Sequence, residues 1–149
     1  MGIIDYLLKN TARSPEKTAI IFADNVLSYR DFTEQTRRIS GALYELGAGE
    51  GTHIGLFLNN SIEFVTTLFA AADLGATIVP MSNTSSSSDL ATAINVTNID
   101  YLIGWYASLK DVLERAQQEF PLSRQNCIAI GGKVEDCLVF EEIVDSVPE

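Results

Sequence analysis

Cysteine is scarce in this chain, whose 149 residues hold only Cys127 and Cys137. Two thiols this far apart in sequence are too few for a zinc site or a disulfide framework. They read as the reduced thiols of a cytoplasmic protein. Basic side chains are also few: 10 Lys and Arg stand against 20 Asp and Glu, a formal charge of −10. A chain this acidic repels DNA, RNA and anionic membrane, which argues against nucleic acid as a partner. It repels free ATP at long range as well, so a nucleotide site would need local donors. No apolar run reaches the length of a membrane span. "MGIIDYLLKN" lacks the basic start and small-residue cleavage site of a signal peptide. Tyr6 stands where a myristoylated Gly2 would require Ser or Thr. Without secretion, the sequons at Asn59, Asn83 and Asn95 carry no meaning. The single histidine, His53, has no partner evident in sequence and reads as a solvated or half-buried side chain.

What the chain does have is apolar content, 46% of its residues, enough to bury one substantial core. With no linker and no internal repeat, residues 1–149 read as one domain. Ile3, Ile4, Leu7 and Leu8 share a helical face that Ser14 and Pro15 terminate. "TAIIFA" and "VLSY" read as a hairpin turning at Asp24 and Asn25. Ser28 opens the next helix, with Asp31 as a capping-box variant, and Phe32, Ile39, Leu43 and Leu46 form its buried stripe. From Thr52 onward, the strands "HIGLFL", "ATIVPM", "DYLIGW" and "NCIAIG" alternate with helices. Strands apolar throughout, separated by helices, predict an α/β fold: a three-layer, doubly wound parallel sheet with helices on both faces, plus a short N-terminal β-hairpin. The helix from Ser61 is apolar almost all round and is expected to be sandwiched. "VFEEIVDSVPE" predicts a short final helix and a polar tail.

Three stretches invite a phosphate-binding reading. A dinucleotide fingerprint places its glycines after a strand and at the start of a helix. "LGAGEG" has the reverse order, so Gly47 is expected to be a left-handed helix C-cap. "NTSSSSD" does lie between strand and helix, and its hydroxyls could hold an FMN phosphate in a flavodoxin-like module. The other reading is a polar loop whose last serines cap the helix, and the absence of glycine and basic residues nearby favours it. "GGK" fails as a P-loop, because Cys127 holds the first glycine position and Val134 replaces the hydroxyl residue. The carboxylates of "VEDC" and "FEEI" read as solvated faces. None of these segments performs chemistry by itself.

One longer pattern remains: "LSYRDF" followed by "GLFLNNSIEFVTTLFAAADLGATIVPMS". Leu27, Ser28, Tyr29, Asp31 and Phe32, then Asn60, Ser61, Glu63, Phe64, Gly75, Ala76 and Pro80, match the start of adenylate-forming, AMP-binding enzymes. "SPEKTAIIF" and "NIDYLIG" extend this resemblance over nearly the whole chain. It implies the N-terminal subdomain of an acyl-CoA synthetase-like ligase, ending before the phosphate loop. Such a ligase uses ATP, magnesium and CoA or another thiol, and the resemblance implies none of these cofactors bound by this portion alone. The matched positions are architectural in that family, so no catalytic, cofactor-binding or metal-binding residue transfers. Asn59 and Asn60, at a strand's carboxyl end, are the candidates for support of the substrate pocket. The implied partner is the C-terminal portion of the synthetase, and a homodimer through the face that portion would cover is expected. A standalone flavodoxin-like module or a non-catalytic interaction domain are the alternatives.

Overall fold

The computed structural model describes residues 2–148; Glu149, the last residue of the expected polar tail, and Met1 lie outside the described residues. Helix α1 (Ile3–Arg13) is followed by the antiparallel hairpin β1 (Thr18–Phe22) and β2 (Asn25–Ser28). The turn is Ala23–Asp24 rather than Asp24–Asn25. Asn25 is drawn into the ladder opposite Phe22, and Ala23 takes the positive φ of 52° that this tight turn demands. Helix α2 (Tyr29–Glu45) starts where Ser28 Oγ accepts the Asp31 N–H at 3.1 Å. It ends at Gly47, whose φ of 98° suits the left-handed position after a helix.

The main sheet has five parallel strands. β3 (His53–Phe57), β4 (Thr77–Pro80), β5 (Tyr101–Trp105) and β6 (Cys127–Ile130) alternate with α3 (Ile62–Leu74), α4 (Ser87–Thr97) and α5 (Tyr106–Ala116). A fifth strand, β7 (Leu138–Val139), precedes α6 (Phe140–Asp145) and went unforeseen, since two residues offer no periodicity to detect. Helix α5 gives way to a one-turn 3-10 helix over Gln117–Glu119. No helix among the described residues is long and apolar enough to cross a membrane.

Side chains alternate across the strands and divide the core in two. Ile54 and Leu56 of β3, Ile103 of β5 and Ile128 of β6 pack with Ile39 and Leu43 of α2, Ala70 and Ala71 of α3, and Phe140 of α6. Phe57, Leu102, Cys127 and Ala129 face Leu90 and Ile94 of α4 and Leu109, Val112 and Leu113 of α5. Each fully covered Ile or Leu contributes about 1.5–3 kcal/mol relative to exposure. As expected, α3 is sandwiched. Thr66, Thr67, Ala70 and Ala71 are buried, α1 and α2 pack on it, and Asp73 is its one exposed residue.

Candidate functional site

The strand order is β4-β3-β5-β6-β7. The chain therefore builds outward from β3 to β4, then crosses back to place β5 on the other side of β3. Where the winding reverses, the helices following β3 and β5 leave on opposite faces and a crevice opens beyond the strands' carboxyl ends. Ligands of open α/β sheets collect at such a point. Asn59 and Asn60 follow β3 there, and Trp105 closes β5 beside them.

Trp105 Nε1 donates to Asn59 Oδ1 at 2.7 Å, joining residues 46 apart in sequence across the crevice. The Asn59 carbonyl also accepts the Ser61 hydroxyl at 3.2 Å, while Ser61 Oγ accepts the Phe64 N–H at 3.1 Å. Asn59 is thus fixed by its side chain to β5 and by its backbone to the start of α3. Asn60 is exposed beside it. The two asparagines, with Leu58, Phe64, Met81 and Ser82, line a shallow hollow of about 430 Å³ beyond β3 and β4. Both asparagines stand at the carboxyl end of β3, as expected from the sequence, whereas their neighbour Trp105 was not among the expected residues. An aromatic donor at the end of "DYLIGW", the next strand with its own crossover, was the available signal.

The other stretches are committed elsewhere. At "NTSSSSD", Thr84 Oγ1 shares a hydrogen bond of 2.9 Å with Oγ of the preceding Ser82, and Ser86 Oγ accepts the Asp89 N–H at 3.1 Å as the cap of α4. Ser87 Oγ donates to the Val112 carbonyl at 3.0 Å. This is the loop-and-cap arrangement, with Ser86 and Ser87 committed to α4 and α5. In "GGK", the Gly131 N–H donates to the Glu141 carboxylate at 3.2 Å, which puts a negative group where a phosphate would have to lie. Lys133 Nζ pairs with Glu142 at 3.5 Å. His53 is half-buried at the opposite end of the sheet, its Nδ1 2.7 Å from the Thr97 carbonyl, to which it donates. Among the described residues, no three His, Cys, Asp or Glu side chains converge to hold a metal. Two further hollows, of about 390 and 710 Å³, lie along α2 near Arg37 and Val147, away from the strand ends.

Both cysteines are free thiols, as expected; distant in sequence, they lie together on the α4–α5 side of the sheet, where the Cys127 thiol donates to the Ser123 carbonyl at 3.6 Å.

Comparison with known proteins agrees with this geometry. Zwittermicin A synthase ZmaJ of Bacillus cereus is 28% identical over 109 residues, covering 73% of this chain and 20% of that protein. The acyl-CoA ligase sidI of Aspergillus fumigatus is 26% identical over 127 residues, covering 78% of this chain and 21% of its own length. Among solved structures, the anthranilate CoA ligase AuaEII in complex with anthranoyl-AMP superposes with a TM-score of 0.88 at 25% identity. That superposition covers 99% of this chain and 28% of AuaEII. The chain thus spans less than a third of the length of these relatives. The profile of the AMP-binding enzyme family matches residues 7–146, almost the whole of the fold just described. From the hairpin to the final helix, then, this chain belongs to the AMP-binding enzyme family.

Proposed function

We propose that residues 1–149 form the N-terminal subdomain of an ATP-dependent carboxylate-activating ligase. In the first half-reaction, a carboxylate oxygen attacks the α-phosphorus of ATP and pyrophosphate leaves. In the second, a thiol such as that of CoA attacks the acyl carbon and AMP leaves. Asn59 and Asn60 support the wall of the substrate pocket, with Trp105 holding Asn59 in place. The glycine- and threonine-rich phosphate loop, the magnesium-binding acid and the catalytic lysine belong to the partner portion of the synthetase, so this portion alone is inactive. The observation that carries this reading is the family match over residues 7–146, joined to a reversal of strand order that centres on Asn59. In the absence of the partner portion, the chain forms a weak homodimer through its exposed apolar face.

The test is exchange of labelled pyrophosphate into ATP, with magnesium and a panel of carboxylates. The 149-residue chain is expected to give background exchange, and the reading frame extended past Glu149 to give carboxylate-dependent exchange. The extension should encode a glycine- and threonine-rich loop ending in Pro-Lys. Exchange by the 149-residue chain, or a stop codon directly after Glu149, would overturn the proposal.

A further inference from the structure

Strands β6 and β7 run parallel, with Ile128 opposite Leu138 and Ala129 opposite Val139. Followed back by one residue on each strand, this register sets Cys127 opposite Cys137. Ile128 and Leu138 both point into the α2–α3–α6 layer, whereas both cysteines point into the α4–α5 layer. Neighbouring strands lie about 4.8 Å apart, within the roughly 4.4–6.8 Å between Cα atoms that a disulfide spans. Cys127 is buried and Cys137 half-buried, so one thiol is reachable from solvent and the other waits behind it. Cys137 also sits just outside the ladder, at the start of a two-residue edge strand and after a turn with Asp136 at φ 65°.

We propose that Cys127 and Cys137 are a redox-active dithiol, converted by a hydroperoxide into an intramolecular disulfide. Cys137 reacts first. The adjacent Cys127 thiol holds its pKa below the ordinary value, aided by the Arg124 guanidinium and opposed by burial and by Asp136. The Cys137 thiolate attacks one peroxide oxygen, the O–O bond breaks, and the departing oxygen takes a proton to leave as water or alcohol. Cys137 is left as a sulfenic acid. Cys127, whose thiol is pushed up by the adjacent Cys137 and by burial and donates to the Ser123 carbonyl at 3.6 Å, still carries its proton. Its sulfur attacks the Cys137 sulfur, and that proton leaves with the sulfenic oxygen as water. Two thiols and one peroxide become one disulfide, and the bond pins β7 and α6 to the sheet.

The test is made on the natural sequence. The reduced chain, denatured and treated with iodoacetamide, should be alkylated at both cysteines. After a few equivalents of hydrogen peroxide neither should be alkylated, and trypsin should release residues 125–133 linked to residues 134–149. Dithiothreitol should restore both thiols, and oxidation should raise the melting temperature. In Cys127→Ser, peroxide should leave a sulfenic acid at Cys137 that dimedone labels; in Cys137→Ser, Cys127 should stay unreactive. Two thiols that remain alkylatable after peroxide would overturn the proposal. So would a disulfide between chains, or a Cys137 driven to sulfinic acid while Cys127 stays free. If Cys127→Ser fails to fold, the linked peptide from the natural chain decides alone.

Discussion

At Gly104 the sheet has no room for a side chain. A methyl there would lie 3.1 Å from the Phe57 carbonyl oxygen and 3.3 Å from its Cβ, and a backbone oxygen in a ladder cannot step aside. At Gly55 the same methyl would meet the tips of Leu102 and Met81 at 3.1 and 3.2 Å, and those tips can rotate. Gly104→Ala should therefore cost about 1–3 kcal/mol in urea unfolding, and Gly55→Ala distinctly less. Equal costs would mean that β3 and β5 separate freely at their carboxyl ends. The same strand ends hold the Asn59–Trp105 hydrogen bond. Trp105 is the chain's one tryptophan, so its fluorescence reports this site alone. Asn59→Ala should shift Trp105 emission while leaving far-ultraviolet circular dichroism unchanged. The stability loss should be about 0.5–1.5 kcal/mol, as for a single hydrogen bond. Unchanged emission would show that the clasp does not hold the indole in solution.

Helix starts carry the next scale of organisation. Ser28, Ser61 and Ser86 each place a hydroxyl on an N–H of the first turn, and each follows a strand or loop that its helix must leave at a fixed angle. Ser61 is buried, and Ser86 lies in an exposed loop with its bond at the surface. Ser86→Ala should thus cost about 1 kcal/mol or less. Ser61→Ala should cost more, because it strands the Phe64 N–H away from water and releases the Asn59 backbone. Thermal or urea unfolding of the two variants ranks them. Since Ser86 caps α4 and Ser87 bonds the Val112 carbonyl, added FMN should keep its fluorescence. Saturable quenching lost on replacing Ser85 to Ser88 by Ala would restore the phosphate reading of that loop.

Over the whole molecule, charge and apolar exposure oppose each other. The formal charge of −10 keeps copies apart, yet Ile21 and Val26, opposite one another in the hairpin, are 72% and 59% exposed. Ile3, Tyr6 and Phe22 add exposed apolar surface on α1 and the hairpin. Repulsion is screened beyond about 8 Å at physiological salt, while the gain from covering apolar surface is not weakened by salt. Sedimentation should show weak dimerisation that strengthens as salt rises, and Ile21→Thr with Val26→Thr should abolish it. A strict monomer at high protein concentration in both low and high salt would remove the homodimer.

Local signals sufficed for the elements. Helix α1 was legible over Ile3–Arg13 because its apolar period and the Ser14–Pro15 stop lie within a few turns. Helix α3 was bracketed by Ser61 and Gly75 for the same reason: caps act through neighbours in sequence. Alternating apolar strands and helices also determined the parallel, two-faced sheet, and they put Asn59 and Asn60 at a strand's carboxyl end. Tertiary structure alone decided which strands are neighbours. That depends on how the helices share the two sheet faces, a competition among apolar surfaces distant in sequence. From it follow the clasp of Asn59 by Trp105, the addition of β7 to the sheet edge, and the meeting of Cys127 with Cys137. Each is a contact between segments that carry no mark of one another until the sheet sets them side by side.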